Sequence, residues 1–285
     1  MKHAIITGAN AGIGFSTAKA LLVKGYKISM FCRNKDRADL AKKELITLTE
    51  NDNIDIFLVD FSKLSSIRLA CDEFKSKYTS IDVLVNNAGA TFAEFTMSDD
   101  KIEKTMAVNH FGYFATTYHL HTLMGKGSKI INVSSKAHYG GHINLDTINE
   151  EKGYSVIKQY QISKLANVLF TKFLARKFEN RGITVNCLHP GVVKTKIGNK
   201  AGNKLFGLIW TLFSLFGINT EKGAATSVYL ASSEEVAGIS GMYFDKKKAY
   251  KGSELSRDEK LQEQFWKWSE KVSKINWFFE NQGFI

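Results

Sequence analysis

The stretch "HAIITGANAGIGFSTAKALLVKG", His3 to Gly25, decides the fold. A short apolar run ends in a glycine-rich turn, and the turn opens a segment with helical spacing that stops at Gly25. Within the turn, "TGANAGIG", Thr7 to Gly14, the glycines Gly8, Gly12 and Gly14 follow a TGxxxGxG pattern rather than the commoner GxGxxG. They remove side chains where the chain reverses and where a ligand must approach the backbone. The helix start then offers free N–H groups and the positive end of a dipole, a natural seat for phosphate. Glycines also simply end strands, but their place at the first strand-to-helix turn favours a ligand.

Further along, "KISMFC", "IDIFLVD", "IDVLVNN", "SKIINVSS" and "ITVNCLH" repeat the near-continuous apolar signature, separated by amphipathic stretches such as "RADLAKKELITLTE". Parallel neighbours need crossover connections, so this alternation predicts an α/β fold: one doubly wound parallel sheet with helices on both faces. No repeat and no Pro- or Ser-rich linker divides the 285 residues, and one domain over 1–285 is expected. After Pro190, the only proline, the organisation changes. "LFGLIWTLFSLFGI", Leu205 to Ile218, carries no charge, and its fourteen residues at about 1.5 Å rise cannot cross a hydrocarbon core of about 30 Å. It reads as a lid, an oligomer contact or an interfacial segment. A helical substrate lid is placed at about 192–220, and "SRDEKLQEQFWKWSEKV" starts a helical extension at about 255–285.

Composition narrows the class. Hydrophobic residues at 44% and charged residues at 24% suit a soluble globular protein rather than a disordered or polytopic one. A net charge of +11 admits nucleic acid, an acidic membrane or an anionic ligand as partner. The lysines are spread along the chain, so a solvated basic surface is favoured and no nucleic-acid partner is expected. Cys32, Cys71 and Cys187 are far apart and lack CxxC spacing, which argues against a disulfide framework or zinc site. His119 and His121, two apart, point to different helix faces, and no metal is expected. The amino terminus passes straight into the first strand-like run, so neither signal peptide nor amino-terminal anchor is expected and a cytoplasmic location is read.

The second strand selects the ligand. An acidic residue about twenty positions past the glycine loop holds an NAD ribose, whereas arginine suits a 2′-phosphate. Here "KISMFCRN" ends at Arg33, and Asp36 reads as part of the next helix's first turn, so NADP(H) is expected over NAD(H). Asp60 and Phe61 end the third strand, where an adenine contact or helix capping are both open. "NNAG", Asn86 to Gly89, ends the fourth and either stacks along a cofactor or stabilises its turn.

"QYQISKLANVLF", Gln159 to Phe170, places Tyr160 and Lys164 on one helix face. A phenol with a pKa near 10 is a poor acid–base group, but a nearby cation favours phenolate. Ser134 and Ser135 end the fifth strand, where a hydroxyl can bind a substrate oxygen. Asn109 lies within a helix, where its amide anchors a water or distorts the helix. With a nucleotide loop in the same domain, this set makes a coherent carbonyl-reduction site.

Taken together, "TGANAGIG", "NNAG", Asn109, the serine pair, "YQISK" and "HPG" resemble the short-chain dehydrogenase/reductase family. Finer stretches such as "VNHFGYF", "NVSSKAH" and "VNCLHPGVVKT" are similar to its retinol dehydrogenase branch, which reduces retinal and other apolar aldehydes with NADPH. The resemblance implies a Rossmann fold and a tetrad of Asn109, Ser135, Tyr160 and Lys164, with Ser134 the runner-up serine. In that scheme Tyr160 protonates the carbonyl oxygen, Ser135 hydrogen-bonds it, Lys164 lowers the tyrosine pKa and holds the nicotinamide ribose, and Asn109 continues a relay through water. The implied NADP(H) contacts are Gly8, Asn10, Gly12, Ile13, Gly14, Arg33, Asp60, Phe61, Asn87, Ala88, Gly89, Tyr160, Lys164, Pro190, Gly191, Val193 and Thr195. The substrate implied is a small apolar carbonyl or alcohol, such as retinal or a lipid aldehyde. Many family members dimerise through the helices that here hold Asn109 and Tyr160, and a homodimer is open. Mammalian-type retinol dehydrogenases commonly start with a membrane-anchoring helix not seen here, which leaves peripheral membrane contact through 205–218 open. The competing function is a non-catalytic NADP(H)-binding redox sensor, since fold alone does not fix function.

Overall fold

The computed structural model describes residues 1–191 and 219–277. The lid segment, apart from its last residues, and the calls at Val193, Thr195 and 205–218 lie outside the described residues, as does the end of the extension from 278 onward.

The six apolar runs form β1 (His3–Thr7), β2 (Lys27–Cys32), β3 (Ile54–Leu58), β4 (Val83–Asn86), β5 (Lys129–Val133) and β6 (Thr184–His189). Two short strands follow that sequence reading had not separated, β7 (Tyr243–Asp245) and β8 (Lys248–Tyr250). The sheet order is β3-β2-β1-β4-β5-β6-β7-β8, parallel throughout except for the antiparallel β7–β8 pair. This is a doubly wound Rossmann-type sheet. Its winding reverses between β1 and β4, which opens a ligand crevice at the carboxyl ends of those strands.

Successive strand residues serve opposite faces, as the two-residue period requires. Ala4, Ile6, Ile28, Met30 and Cys32 pack with α1 (Gly12–Val23) and α2 (Lys35–Thr49), while Ile5, Phe31 and Phe57 pack on the other side with α3 (Leu64–Lys77). Each fully buried aliphatic or aromatic side chain contributes about 1.5–3 kcal/mol, so the sheet is held by many comparable increments. Beyond β4, α4 (Lys104–Met106) runs through a π-helical turn at Ala107–Phe111 into α5 (Gly112–Leu120), and α6 (Val156–Phe178) returns along the same face. On the α1 side, α7 (Thr220–Ser232) completes the cover.

The carboxyl-terminal extension forms α8 (Glu254–Arg257) and α9 (Glu259–Ser273). Alternation of charge with Phe265, Trp266 and Trp268 gives α9 one aromatic face. That face lies on α5 and α6: Trp266 stacks with Phe173 at 4.5 Å and packs on Phe114 at 5.1 Å, and Phe265 meets His110 at 4.7 Å. The helices expected to carry a dimer contact are therefore partly covered by the chain's own extension. No described helix is long and apolar enough to cross a membrane.

Candidate active site

The glycine turn forms because three positions exclude side chains. Gly8 has φ +68° and Gly12 φ +58°, a left-handed conformation that glycine adopts without strain. At Gly14 a Cβ would fall inside contact distance of the Gly8 carbonyl and 2.6 Å from Asn87 Nδ2. Helix α1 begins there with Ala11 at its cap, no side-chain cap and no acidic residue in its first turn. Its end N–H groups thus take no side-chain cap, and these residues fit a dinucleotide phosphate.

The crevice edge is held by Thr7, a residue whose role sequence reading missed. Its Oγ1 accepts from the N–H groups of both Asn87 and Ala88 at 2.8 Å, and Asn87 Nδ2 donates to the Thr7 carbonyl at 2.8 Å. Asn87 thereby ties β4 to β1, the turn-stabilising alternative. At the end of β2, Arg33 is exposed and makes no ion pair among the described residues, while Asp36 sits in the first turn of α2 as expected. Asp60 Oδ1 accepts from the Ser62 N–H and hydroxyl at 2.9 and 2.7 Å, and the Phe61 ring is buried in the core, leaving its backbone for any ligand.

Across the crevice, α6 carries Tyr160 and Lys164 toward the end of β5. Tyr160 shares a hydrogen bond with Ser135, and Lys164 Nζ lies 5.6 Å from the centre of the tyrosine ring. Ser134 is spent elsewhere: its Oγ donates to the Lys164 carbonyl at 2.8 Å, so Ser135 is the serine that faces the phenol. Lys164 Nζ donates to the Val133 carbonyl at 3.2 Å, and a Cβ on Gly89 would stand 3.8 Å from that ammonium. Pro190 and Gly191 follow β6 at the same sheet edge.

Burial dominates the electrostatics. It raises the Tyr160 phenol above its ordinary pKa, opposed by the hydrogen bond with Ser135, and it pushes the Lys164 ammonium down to about 8. Burial, not the neighbouring lysine, sets the direction for the tyrosine in the protein by itself, because the low-dielectric surroundings disfavour both charged forms.

Asn109 lies inside the π-turn, a feature common at functional sites. Its side chain is engaged by protein at both ends. Oδ1 accepts from the Ala90 N–H at 2.8 Å and Nδ2 donates to Ser163 Oγ at 3.0 Å. Ser163 in turn donates to the Tyr160 carbonyl at 2.8 Å, a tie that its i+3 spacing from Tyr160 permits but does not announce.

A strand-end glycine turn facing a tyrosine, lysine, serine and asparagine across a Rossmann crevice defines an oxidoreductase of the hydride-transfer class. The chain belongs to the short chain dehydrogenase family, whose model matches residues 2–205, and whose members use nicotinamide cofactors. Among similar proteins, retinol dehydrogenase 14 of Mus musculus is 38% identical, over 94% of this chain and 85% of its own length. Retinol dehydrogenase 12 of Homo sapiens is 35% identical, over 97% and 87% respectively. Among solved structures, an uncharacterised protein from Mycobacterium paratuberculosis superposes with a TM-score of 0.78 at 26% identity, over 96% of this chain and 94% of that one.

Proposed function

We propose that the protein is an NADPH-dependent reductase of apolar aldehydes, retinal and lipid aldehydes among them, reversible as an alcohol dehydrogenase. The observation that carries this reading is the meeting of Tyr160 with Ser135, with Lys164 one helical turn on, at the sheet edge that also holds the uncapped glycine turn. A nicotinamide cofactor, when bound, would supply a hydride equivalent for the carbonyl carbon. The glycine turn and the start of α1 would hold its pyrophosphate, and Arg33 would meet a 2′-phosphate. Ser135 donates to the substrate oxygen and orients it. Tyr160 delivers the proton to that oxygen, and Lys164, relieved of part of its burial cost by polar ligand groups, holds the ribose and supports the phenolate. Asn109, fixed by Ala90 and Ser163, keeps its turn in place for resupply of the proton.

The names of the relatives support an apolar substrate, and the expected single domain suits one crevice serving both ligands. Contact with a membrane through 205–218 would bring such substrates within reach. A homodimer through α5 and α6 would have to use the surface that α9 leaves uncovered.

The test is the loss of reduced-nicotinamide absorbance when the purified protein meets NADPH or NADH with carbonyls ranging from short aldehydes to retinal and steroid ketones. Turnover with NADPH and long apolar aldehydes is expected. Nucleotide binding with no turnover anywhere in the panel would replace this reading with the redox-sensor one.

A further inference from the structure

Glu103 lies outside the tetrad yet is fully buried, an unusual position for a carboxylate. Its partners account for that. Oε1 accepts from the Thr105 N–H at 2.9 Å and Oε2 from the Met106 N–H at 2.8 Å, capping the short helix that runs into the Asn109 turn. Oε2 also accepts from Gln159 Nε2 at 2.9 Å, and Gln159 is the buried residue immediately before Tyr160. The loop ahead of α6 joins the same knot. Glu103 N donates to Asn149 Oδ1 at 2.5 Å, Asn149 Nδ2 donates to the Lys101 carbonyl at 2.8 Å, and Gln159 Nε2 reaches the Ile148 carbonyl at 3.3 Å.

A cap by itself does not call for this. Helices α2, α7 and α9 are capped by Asn34, Asn219 and Asp258, all exposed side chains that avoid desolvation. Glu103 bears the cost of burial, and what it gains over those caps is a cross-link to α6. That link has a counterpart in the bond from Asn109 to Ser163. The two join the Asn109 element to α6 at Gln159 and at Ser163, and Tyr160 sits between them on the same turn.

We infer that Glu103 is a positioning residue for Tyr160: through Gln159 it holds the first turn of α6, and with it the phenol, in register with the Asn109 turn and with Ser135. The kinetic consequence rests on the reductase reading above; the geometric one does not.

Two variants separate the cap from the cross-link. Glu103→Gln retains size but offers one oxygen where the carboxylate serves two backbone N–H groups and the side chains of Thr105 and Gln159. Gln159→Met leaves the cap intact, removes the cross-link together with the longer bond to the Ile148 carbonyl, and remains informative where Glu103→Gln fails to fold. Two readouts are taken: steady-state kinetics with NADPH and the best aldehyde, and ultraviolet titration of the tyrosinate band, with Tyr160→Phe identifying the share due to Tyr160. Gln159→Met is expected to lower kcat roughly 10- to 100-fold while the Kd for NADPH stays within about threefold, because small misplacements of a reacting group cost rate rather than binding. The Tyr160 titration is expected to shift in the same variant, as its distance from Ser135 and Lys164 changes. Unchanged kcat and an unchanged tyrosine titration overturn the inference, and so does a parallel collapse of NADPH binding. Should the wild-type protein itself show no turnover, the reductase reading falls, and the titration still decides the positioning.

Discussion

Within a few residues of β1 the chain builds one side of its crevice mainly from backbone, pinned by Thr7, whereas the other side draws side chains from segments as far apart as Asn109 and Lys164. The Gly8–Gly14 turn works by what it lacks: two glycines in left-handed conformation, a third too close to a carbonyl to bear a Cβ, and a helix start with no side-chain cap. The Tyr160 side is the reverse, with a buried lysine, an asparagine bonded at both ends and a serine facing the phenol. A phosphate asks for N–H groups and room, which a local stretch supplies. A proton-transfer group asks for a tuned pKa and a fixed position, and both need neighbours from distant parts of the chain.

If the two sides are separable, Tyr160→Phe has the largest effect of any single change. Turnover should fall about a thousandfold, the middle of the range for loss of a general acid, with NADPH affinity nearly intact by fluorescence titration. Equal losses of binding and turnover would break the comparison. Next comes Gly14→Ala, whose methyl meets the Gly8 carbonyl and Asn87; it should cost about 2–3 kcal/mol in urea unfolding and weaken nucleotide binding as well. A normal unfolding midpoint would mean that the turn yields more easily than its geometry suggests. Arg33→Asp should move coenzyme preference toward NADH by about tenfold, or about 1.4 kcal/mol, read as the ratio of kcat/KM values. No change would show that another basic group, Arg37 being the nearest in sequence, reads the 2′-phosphate.

A further expected effect, spread over a range of pH, concerns Lys164 in the cofactor-free protein. Its folded pKa of about 8 lies below the ordinary 10.5, so between those values the unfolded chain holds a proton that the folded protein lacks. Stability contributed by this group therefore rises with pH across that window and is lowest below it, with a slope of at most about 1 kcal/mol per pH unit. Lys164→Met should remove that slope in urea titrations between the two pH values. A slope that survives the substitution would assign it to other groups.

Much of this architecture was legible beforehand for local reasons. Six strands declared themselves by apolar runs bounded by turns, Asp36 by its place after a strand end, and α9 by its amphipathic period. β7 and β8 did not, because three residues are too few to show a period and β8 is exposed along its length. The choice of Ser135 rested on resemblance until the bond from Ser134 to the Lys164 carbonyl gave it a geometric reason. The Glu103 to Gln159 link had no signal at all, since nothing in spacing joins residues so far apart.

Residue order was enough to establish the doubly wound sheet and to mark the glycine turn, because periodicity and turn chemistry act over a few neighbours; the candidate tetrad came from the family resemblance. The burial that sets the Tyr160 and Lys164 protonation equilibria, the spent hydroxyl of Ser134 and the covering of α5 and α6 by α9 emerged only with the folded chain. Each depends on the dielectric and the partners that long-range packing creates, and no local pattern encodes those.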